Sequence, residues 1–238
     1  MKNQLGKLYL IPTTLGDNEP LDVLPITVKN SIENIDTFIV ENEKTARRFI
    51  KKIAPEKSQP SLKLHLLNKH TDQSELPSFL EPCLNGINVG LLSEAGCPGV
   101  ADPGADVVKI AHQKNIKIVP LVGPSSILMA IMSSGMNGQS FAFNGYLPID
   151  KGERKNEMKR LERLSFEHNQ SQIFIETPYR NNKMLEDLSN YLDNNTDVCV
   201  ACDITLSTEF IKTQTANAWK KNKVDLHKRP TIFIIHKR

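Results

Sequence analysis

Short apolar, β-branched runs alternate along this chain with segments of helical periodicity. The runs in the first half are LYLIP, DTFIVE, LKLHLL, NVGLLS and IKIVPLV, and stretches such as TARRFIKKI and ADVVKIAHQKN lie between them. Strand and helix in alternation are typical of a parallel sheet with helices on both faces. We therefore predict an α/β fold whose N-terminal half is a doubly wound, mostly parallel sheet.

The pattern changes after GPSSILMAIMSS, which has the composition of a helix. Further runs follow at FAFNGYLP, SQIFIET, DVCVACDITL and TIFIIHK, and DITL lies close enough to EFIKT for an antiparallel hairpin. A hairpin beside other strands gives a mixed sheet. With 238 residues, the chain is long enough for two α/β domains, which we expect to span residues 1–122 and 123–238.

Composition excludes several classes of protein. The chain is 39% hydrophobic and 24% charged, no apolar run approaches the roughly 20 residues of a bilayer span, and MKNQLGKLYLIP lacks a signal peptide's apolar core. We therefore expect a cytoplasmic protein without a membrane partner. The net charge of +3 is small for a dedicated nucleic-acid binder.

The cysteines and the acidic residues do not indicate a metal site. Cys199 and Cys202 form a C-x-x-C, but in an extended strand they face opposite sides. We expect reduced thiols in the core. No His, Cys or carboxylate group shows the spacing of metal ligands, so no metal is expected.

The segment SEAGCPGVADPG, residues 93 to 104, follows a predicted strand directly. Ligands of open α/β sheets lie beyond the carboxyl ends of strands. Gly96, Gly99 and Gly104 permit positive φ and close approach of a ligand to the backbone, and Asp102 is placed to cap a helix that begins near Pro103. The segment is either a ligand-binding loop or a tight structural turn.

A second loop of this kind is VGPSS, residues 122 to 126. Gly123 allows backbone approach, and the hydroxyls of Ser125 and Ser126 offer hydrogen bonds to a polar ligand, although Ser125 would equally cap the helix that follows. The chain has neither G-x-x-x-x-G-K-[ST] nor G-x-G-x-x-G after its first strand. The usual signals of nucleotide hydrolysis and dinucleotide binding are therefore absent from the sequence.

Six sequence motifs together resemble those of a known family. In order along the chain they are LYLIPTTLGD, ENEKTARR, SEAGCPGVADPG, VGPSS, FNGYLP and ETPYR. The chain resembles the tetrapyrrole-methylase superfamily of S-adenosylmethionine-dependent methyltransferases. Within it, the chain is most similar to the branch that methylates the ribose 2′-hydroxyl of a cytidine in small-subunit ribosomal RNA. The resemblance covers nearly the whole chain.

The resemblance implies a homodimer of two-domain subunits, with S-adenosylmethionine bound in the cleft between the domains and ribosomal RNA or the small ribosomal subunit as partner. Two loops would hold the donor, and two residues of the second domain would approach it. The donor-binding residues implied in this way are Thr13, Ser93, Glu94, Ala95, Gly96, Val100, Asp102, Gly123, Pro124, Ser125, Ser126, Leu147 and Pro148.

Three segments depart from the family pattern. Residues 12–17 are PTTLGD where the family usually has Gly-Thr-Pro-x-Gly-Asn, residues 41–44 are ENEK in place of Glu-Asp-Thr-Arg, and residues 202–206 are CDITL in place of Arg-Glu-Leu-Thr-Lys. The last change removes two cations of the kind that contact RNA phosphates. The alternatives are therefore a methyltransferase for a small, tetrapyrrole-like molecule and a donor-binding protein without catalysis.

Methyl transfer from a sulfonium requires alignment of methyl group and acceptor, and removal of one proton. Glu41 ends the strand DTFIVE, and we predict that it is the catalytic residue, although it would also be placed to cap the next helix. Lys44 and Arg180 are predicted substrate contacts, and the alternative for Arg180 is a solvated surface.

The segment KGERKNEMKRLERL carries a basic stripe at helical spacing, which consists of Lys151, Lys155, Lys159 and Arg163. Lys155 and Lys159 are predicted to contact RNA, and the interleaved glutamates equally allow a salt-bridged solvated face. Trp219 either stacks on a base or packs in the core.

Overall fold

The computed structural model describes residues 4–238. The chain forms two compact units, of which the first ends at Ser125 and the second begins at Ser126. The strands of the first unit are β1 (Lys7–Ile11), β2 (Thr37–Val40), β3 (Lys63–Leu66), β4 (Val89–Leu92) and β5 (Lys117–Pro120). Its helices are α1 (Pro20–Val23), α2 (Ile26–Glu33), α3 (Glu43–Ile53), a 3-10 helix (Gln73–Leu80), α4 (Glu81–Leu84) and α5 (Ala105–Gln113).

The first sheet is parallel, with the strand order β3-β2-β4-β1-β5. Alternate residues of β2 serve the two faces: Phe38 packs with the helix residue Ile50 in one cluster, and Ile39 packs with Val107 in another. The sheet is therefore covered by helices on both sides, as in a doubly wound fold.

The order of the strands opens a crevice at the carboxyl edge of this sheet. The chain leaves β2 toward β3 on one side and leaves β4 toward β5 on the other, although β2 and β4 are hydrogen-bonded neighbours. The two outgoing connections diverge, which is the arrangement at which open α/β sheets bind their ligands.

The second unit is built on a mixed sheet. Its elements are α6 (Ser126–Ser134), β6 (Phe141–Tyr146), α7 (Lys151–His168), β7 (Ser171–Ile175), α8 (Asn181–Tyr191), β8 (Asp197–Cys202), β9 (Phe210–Thr215), α9 (Ala216–Trp219) and β10 (Thr231–His236). The order is β6-β7-β10-β8-β9, with β6 parallel to β7 and the other pairs antiparallel. The predicted hairpin is present as β8 and β9.

Trp219 belongs to the core of the second unit. Its side chain is buried, and its indole Nε1 donates a hydrogen bond to the Val198 carbonyl at 2.9 Å. A buried ring with its single donor satisfied presents no face to a base. The stacking role considered for Trp219 is therefore wrong, and the core alternative is confirmed.

The four cysteines are free thiols, of which Cys83, Cys199 and Cys202 are buried. Burial raises the pKa of Cys83 to about 11, which keeps it protonated at neutral pH. Within residues 4–238, none of the helices is long and apolar enough to cross a membrane.

Candidate active site

The crevice between β2 and β4 holds a pocket of about 680 Å³ within the first unit. Its walls come from the end of β2 at Glu41 and Asn42, the turn after β3 at residues 67–71, Glu94 after β4, and the start of α5 at residues 103–107. The volume is of the size that small-molecule sites have. All four segments lie at the carboxyl edge of the sheet, because parallel strands end on the same side.

Three carboxyl groups meet at this edge. Asp102 is hydrogen-bonded to Glu41, and Glu94 is close enough to act on it electrostatically. Burial, followed by the charge of Glu41, raises the pKa of Asp102 to about 7. Asp102 therefore titrates near neutral pH beside Glu41, and its acid–base chemistry is the most perturbed at the site.

The side chain of Glu41 does not cap the start of α3. Asn42 is the N-cap, since its Oδ1 accepts hydrogen bonds from the backbone N of Lys44 at 2.9 Å and of Thr45 at 3.3 Å. The alternative in which Glu41 caps this helix is therefore wrong. The Thr45 hydroxyl donates to Glu94 Oε1 at 2.6 Å, which joins α3 to the loop after β4.

The loops after β1, β4 and β5 are bonded to one another. The backbone N of Thr13 donates to the Gly96 carbonyl at 3.0 Å, and the Thr13 hydroxyl lies 3.2 Å from the Ser93 hydroxyl, which also donates to the Gly96 carbonyl. The Cys97 thiol donates to the Pro124 carbonyl at 3.4 Å. Thr13 and Ser93 are buried, so their hydroxyls hold the loops in place.

The glycines of the loop after β4 have the positive φ values that the sequence predicts: 75° at Gly96, 76° at Gly99 and 136° at Gly104. A Cβ at Gly96 would lie 3.2 Å from the Pro124 carbonyl oxygen, whereas the space at Gly99 is open. The helix after this loop begins at Ala105 with Gly104 as N-cap. The predicted capping by Asp102 is wrong, because Asp102 is engaged with Glu41 instead.

The joined loops suit a donor with a cationic and an apolar part. Glu94, Ala95, Val100 and Val122 are exposed along their edge, while Gly96 and Pro124 are buried beneath it. A carboxylate beside exposed backbone and apolar side chains can hold an ammonium group and a flat ring. α6 begins at Ser126, directly after Ser125. These residues fit the predicted donor, and their individual roles stay predictions.

Two predicted donor residues belong to the second unit. The Leu147 side chain is buried in the core of that unit, and Pro148 uses its carbonyl to accept a hydrogen bond from Arg154 at 3.3 Å. Any contact of Leu147 with the methyl donor would therefore be made by its backbone.

The predicted substrate residues are in different environments. Lys44 is exposed at the start of α3. Arg180 pairs with the buried Glu176 at 2.6 Å, so part of its charge is already matched. On α7, Lys155 lies over the Tyr191 ring at 5.5 Å, and Lys159 pairs with Glu162 at 3.1 Å. Their contacts with a substrate stay predictions.

Sequence reasoning missed one wall of the pocket, the turn after β3. Lys69, His70 and Thr71 line the pocket there, together with Glu41 and Glu94. A signal was present, because the polar run NKHTDQ follows the strand LKLHLL and so lies at the edge that binds ligands. In the part of the chain that the structure describes, no group of three or more His, Cys, Asp or Glu is arranged to hold a metal ion.

Comparison with known proteins places the chain in a family. The family model described as Tetrapyrrole (Corrin/Porphyrin) Methylases matches residues 7–218. The ribosomal RNA small subunit methyltransferase I of Vibrio cholerae is 28% identical over 205 residues, which are 86% of this chain and 67% of that protein.

Solved structures agree with the fold. The crystal structure of the methyltransferase CobJ has a TM-score of 0.64 at 14% identity and covers 98% of this chain and 94% of its own. Uroporphyrin-III C-methyl transferase from Thermus thermophilus, complexed with S-adenyl homocysteine, has a TM-score of 0.56 at 13% identity and covers 98% of each chain.

The predicted fold class, one parallel and one mixed α/β sheet, is confirmed by these neighbours and by the two sheets themselves. The predicted enzyme class, a methyltransferase, is confirmed by the family match over residues 7–218 and by the relatives. This chain belongs to the Tetrapyrrole (Corrin/Porphyrin) Methylases.

Proposed function

We propose that this chain transfers the methyl group of S-adenosylmethionine to a ribose 2′-hydroxyl of ribosomal RNA, and that the RNA is that of the small subunit. S-adenosylmethionine is the methyl donor, as predicted, since the family and the complex of a neighbour with the demethylated product agree. The relatives named as ribosomal RNA methyltransferases support the acceptor.

The observation that carries the proposal is the pairing of Glu41 with Asp102 in the crevice, where the pKa of Asp102 is raised to about 7. A hydroxyl acceptor must lose its proton as it is methylated, and a carboxylate within hydrogen-bond reach is the group that takes it. A carboxylate whose neighbour Asp102 titrates near neutral pH is matched to this task.

The donor's sulfonium supplies an activated methyl group and a good leaving group. In the transfer, the bond from ribose oxygen to methyl carbon forms as the carbon–sulfur bond breaks, and the electron pair of that bond stays on sulfur. Glu41 takes the hydroxyl proton, and Asp102 shares it through their hydrogen bond. Glu94, anchored by Thr45 at 2.6 Å, keeps the donor loop in place beside this pair.

The proposal is tested by incubating the protein with labelled S-adenosylmethionine and small ribosomal subunits from a strain that lacks this gene, followed by nucleoside analysis. We expect label in one 2′-O-methylated nucleoside. Label in a base-methylated nucleoside, or none at all while calorimetry shows donor binding, would contradict the proposal. Labelling of a tetrapyrrole instead would favour the small-molecule alternative.

The homodimer implied by the resemblance and the cytoplasmic location expected from the composition belong to the proposal. Analytical ultracentrifugation at several concentrations tests the first, with the mass of two chains expected. Cell fractionation tests the second.

A further inference from the structure

The turn after β3 is held by hydrogen bonds that use none of its charged side chains. The backbone N of Leu67 donates to the Val40 carbonyl at 2.8 Å, which continues the pairing of β3 with β2. Asn68 Oδ1 accepts from the backbone N of His70 at 2.9 Å, and the Thr71 hydroxyl accepts from the backbone N of Asn68 at 2.9 Å. Lys69 and His70 are therefore held on a fixed backbone with their side chains exposed.

The pocket has walls of opposite charge. The Lys69 ammonium forms no ion pair with any residue in the range 4–238, and it lines the pocket beside His70. The carboxylates of Glu41, Glu94 and Asp106 line the same pocket from the ends of β2 and β4 and the start of α5, and they form its acidic wall. A ligand that fills this space must therefore present hydrogen-bond donors to one wall and an anion to the other.

A ribonucleotide meets both demands, because its hydroxyls donate to carboxylates and its phosphate accepts from Lys and His. The methyl donor has no phosphate, and its predicted loops are joined on the other side of β4, where Thr13, Gly96 and Pro124 are in contact, with Glu94 at the border of the two sites. A macrocycle with many carboxylates would be repelled by the acidic wall. The pocket thus matches the acceptor better than the donor or a tetrapyrrole.

We propose that this pocket takes the acceptor ribonucleotide and that Lys69 and His70 hold the phosphate next to the methylated ribose, an inference that rests on the proposed function. In this arrangement the ribose lies against the carboxylate wall, where Glu41 reaches its hydroxyl. Lys69 and His70 are specificity-determining residues, and they recognise the acceptor without taking part in proton transfer.

The test compares Lys69→Ala and His70→Ala with Lys117→Ala, a matched control because Lys117 is exposed at the amino end of β5, on the opposite edge of the sheet. For labelled methyl transfer to small ribosomal subunits, we expect each pocket variant to raise KM for the subunit about tenfold. Lys69→Arg keeps the charge and is expected to stay within about twofold of the parent. Donor affinity by calorimetry is expected to be unchanged in all variants.

The salt dependence gives a second readout. Loss of one phosphate contact by Lys69→Ala lowers the slope of log KM against log salt by about 0.7 to 0.9. If both pocket variants keep the KM and slope of Lys117→Ala while the parent methylates RNA, the pocket assignment is wrong and the proposed function stands.

If the parent methylates no RNA, the proposed function fails, and the pocket is judged by direct binding. Ribonucleoside 3′,5′-bisphosphates with each of the four bases are titrated into the donor-loaded parent and Lys69→Ala, with the matching nucleosides as controls. Binding that needs both the phosphates and Lys69 supports the pocket assignment. Equal binding of bisphosphate and nucleoside, or no binding, overturns it.

Discussion

At the scale of single residues, the proposed proton transfer depends on Glu41 and Asp102, whose side chains interact at the end of β2 and in the loop after β4. Below about pH 7 Asp102 holds a proton, because burial and the charge of Glu41 raise its pKa to about 7. Above that pH Asp102 is ionised, and it can share the hydroxyl proton that Glu41 takes. Proton uptake by such a pair is a property of both groups together.

The rate of methyl transfer should therefore rise with pH, with an apparent pKa near the value of about 7 that Asp102 has. Asp102→Asn removes the proton-sharing partner of Glu41. We therefore expect that the transfer rate of this variant no longer rises with pH in this range. The measurement is kcat/KM for labelled transfer between about pH 5.5 and 9. A variant whose rate rises with pH as the parent's does would show that another group titrates there.

The same residue makes stability depend on pH. Because the pKa of Asp102 is raised from 3.8 to about 7 in the folded protein, the native state binds this proton more tightly than the unfolded chain does. The free energy of unfolding therefore falls as pH rises between these two values. We expect Asp102→Asn to have a Tm about 2 to 4 °C above the parent at pH 8, the shift expected for ~1 kcal/mol in a chain of this size.

Thermal unfolding at pH 5 and pH 8 checks this, since the difference between variant and parent should shrink at the lower pH. A difference that is the same at both values of pH would show that Asp102 titrates normally.

The place of Glu41 followed from the sequence, because a strand end can be recognised from the run DTFIVE. The role of Asp102 did not follow. An Asp before Pro and Gly has the pattern of a helix cap, and only the fold brings it to Glu41, which is 61 positions earlier (102 − 41).

At the scale of elements, α3 shows how a departure from the family pattern can keep local structure. Asn42 stands where the family usually has Asp, and either side chain accepts hydrogen bonds from the first turn of a helix. In this chain the Asn42 Oδ1 accepts from Lys44 and Thr45. The cap keeps Glu41 at the end of β2 and Thr45 against Glu94.

We expect Asn42→Ala to lower the free energy of unfolding by about 1 kcal/mol and Asn42→Asp to leave it nearly unchanged. Chemical denaturation with a constant m-value measures both. Equal stability of all three proteins would show that the cap contributes nothing.

On α7, Lys155 and Lys159 carry the same prediction from sequence, but their contacts in the structure differ. Lys159 pairs with Glu162, a carboxylate whose side chain is only 6% exposed, whereas Lys155 contacts the face of Tyr191. We expect Lys155→Ala to weaken RNA binding and lower its salt slope by about 0.7 to 0.9. Lys159→Ala is expected to lower the Tm as well, because it removes the cation beside a buried charge.

Binding to a ribosomal RNA fragment at several salt concentrations, with Tm measured in parallel, distinguishes the two lysines. An affinity for RNA that Lys155→Ala leaves unchanged would remove α7 from the interface.

Periodicity predicted the strands and helices well, since both sheets are built from the runs quoted above. Periodicity did not predict that the turn after β3 lines the pocket. β3 is short and only partly buried, with His65 and Leu64 half-buried between exposed ends, so the polar residues after it have the composition of an ordinary loop.

At the scale of the whole molecule, the order of the strands creates the site. β4 lies between β2 and β1 although β3 precedes it in sequence, and this insertion brings Glu94 beside Glu41. Local patterns predict that strands exist and that they are parallel, but not which of them are neighbours, because that depends on long-range packing. A ligand site at the carboxyl edge of the sheet could therefore be predicted from the sequence. The four segments that form its walls could not.

Single-turnover methyl transfer by Glu41→Gln tests most directly whether Glu41 accepts the hydroxyl proton. The substitution keeps the size of the side chain and removes the proton acceptor. We expect a rate at least about 100-fold below the parent at pH 8, with donor affinity unchanged and a Tm no lower than that of the parent, because the charge that disfavours ionised Asp102 is removed. A rate within about threefold of the parent would contradict it, because the crevice between β2 and β4 would then not be where the proton leaves the acceptor.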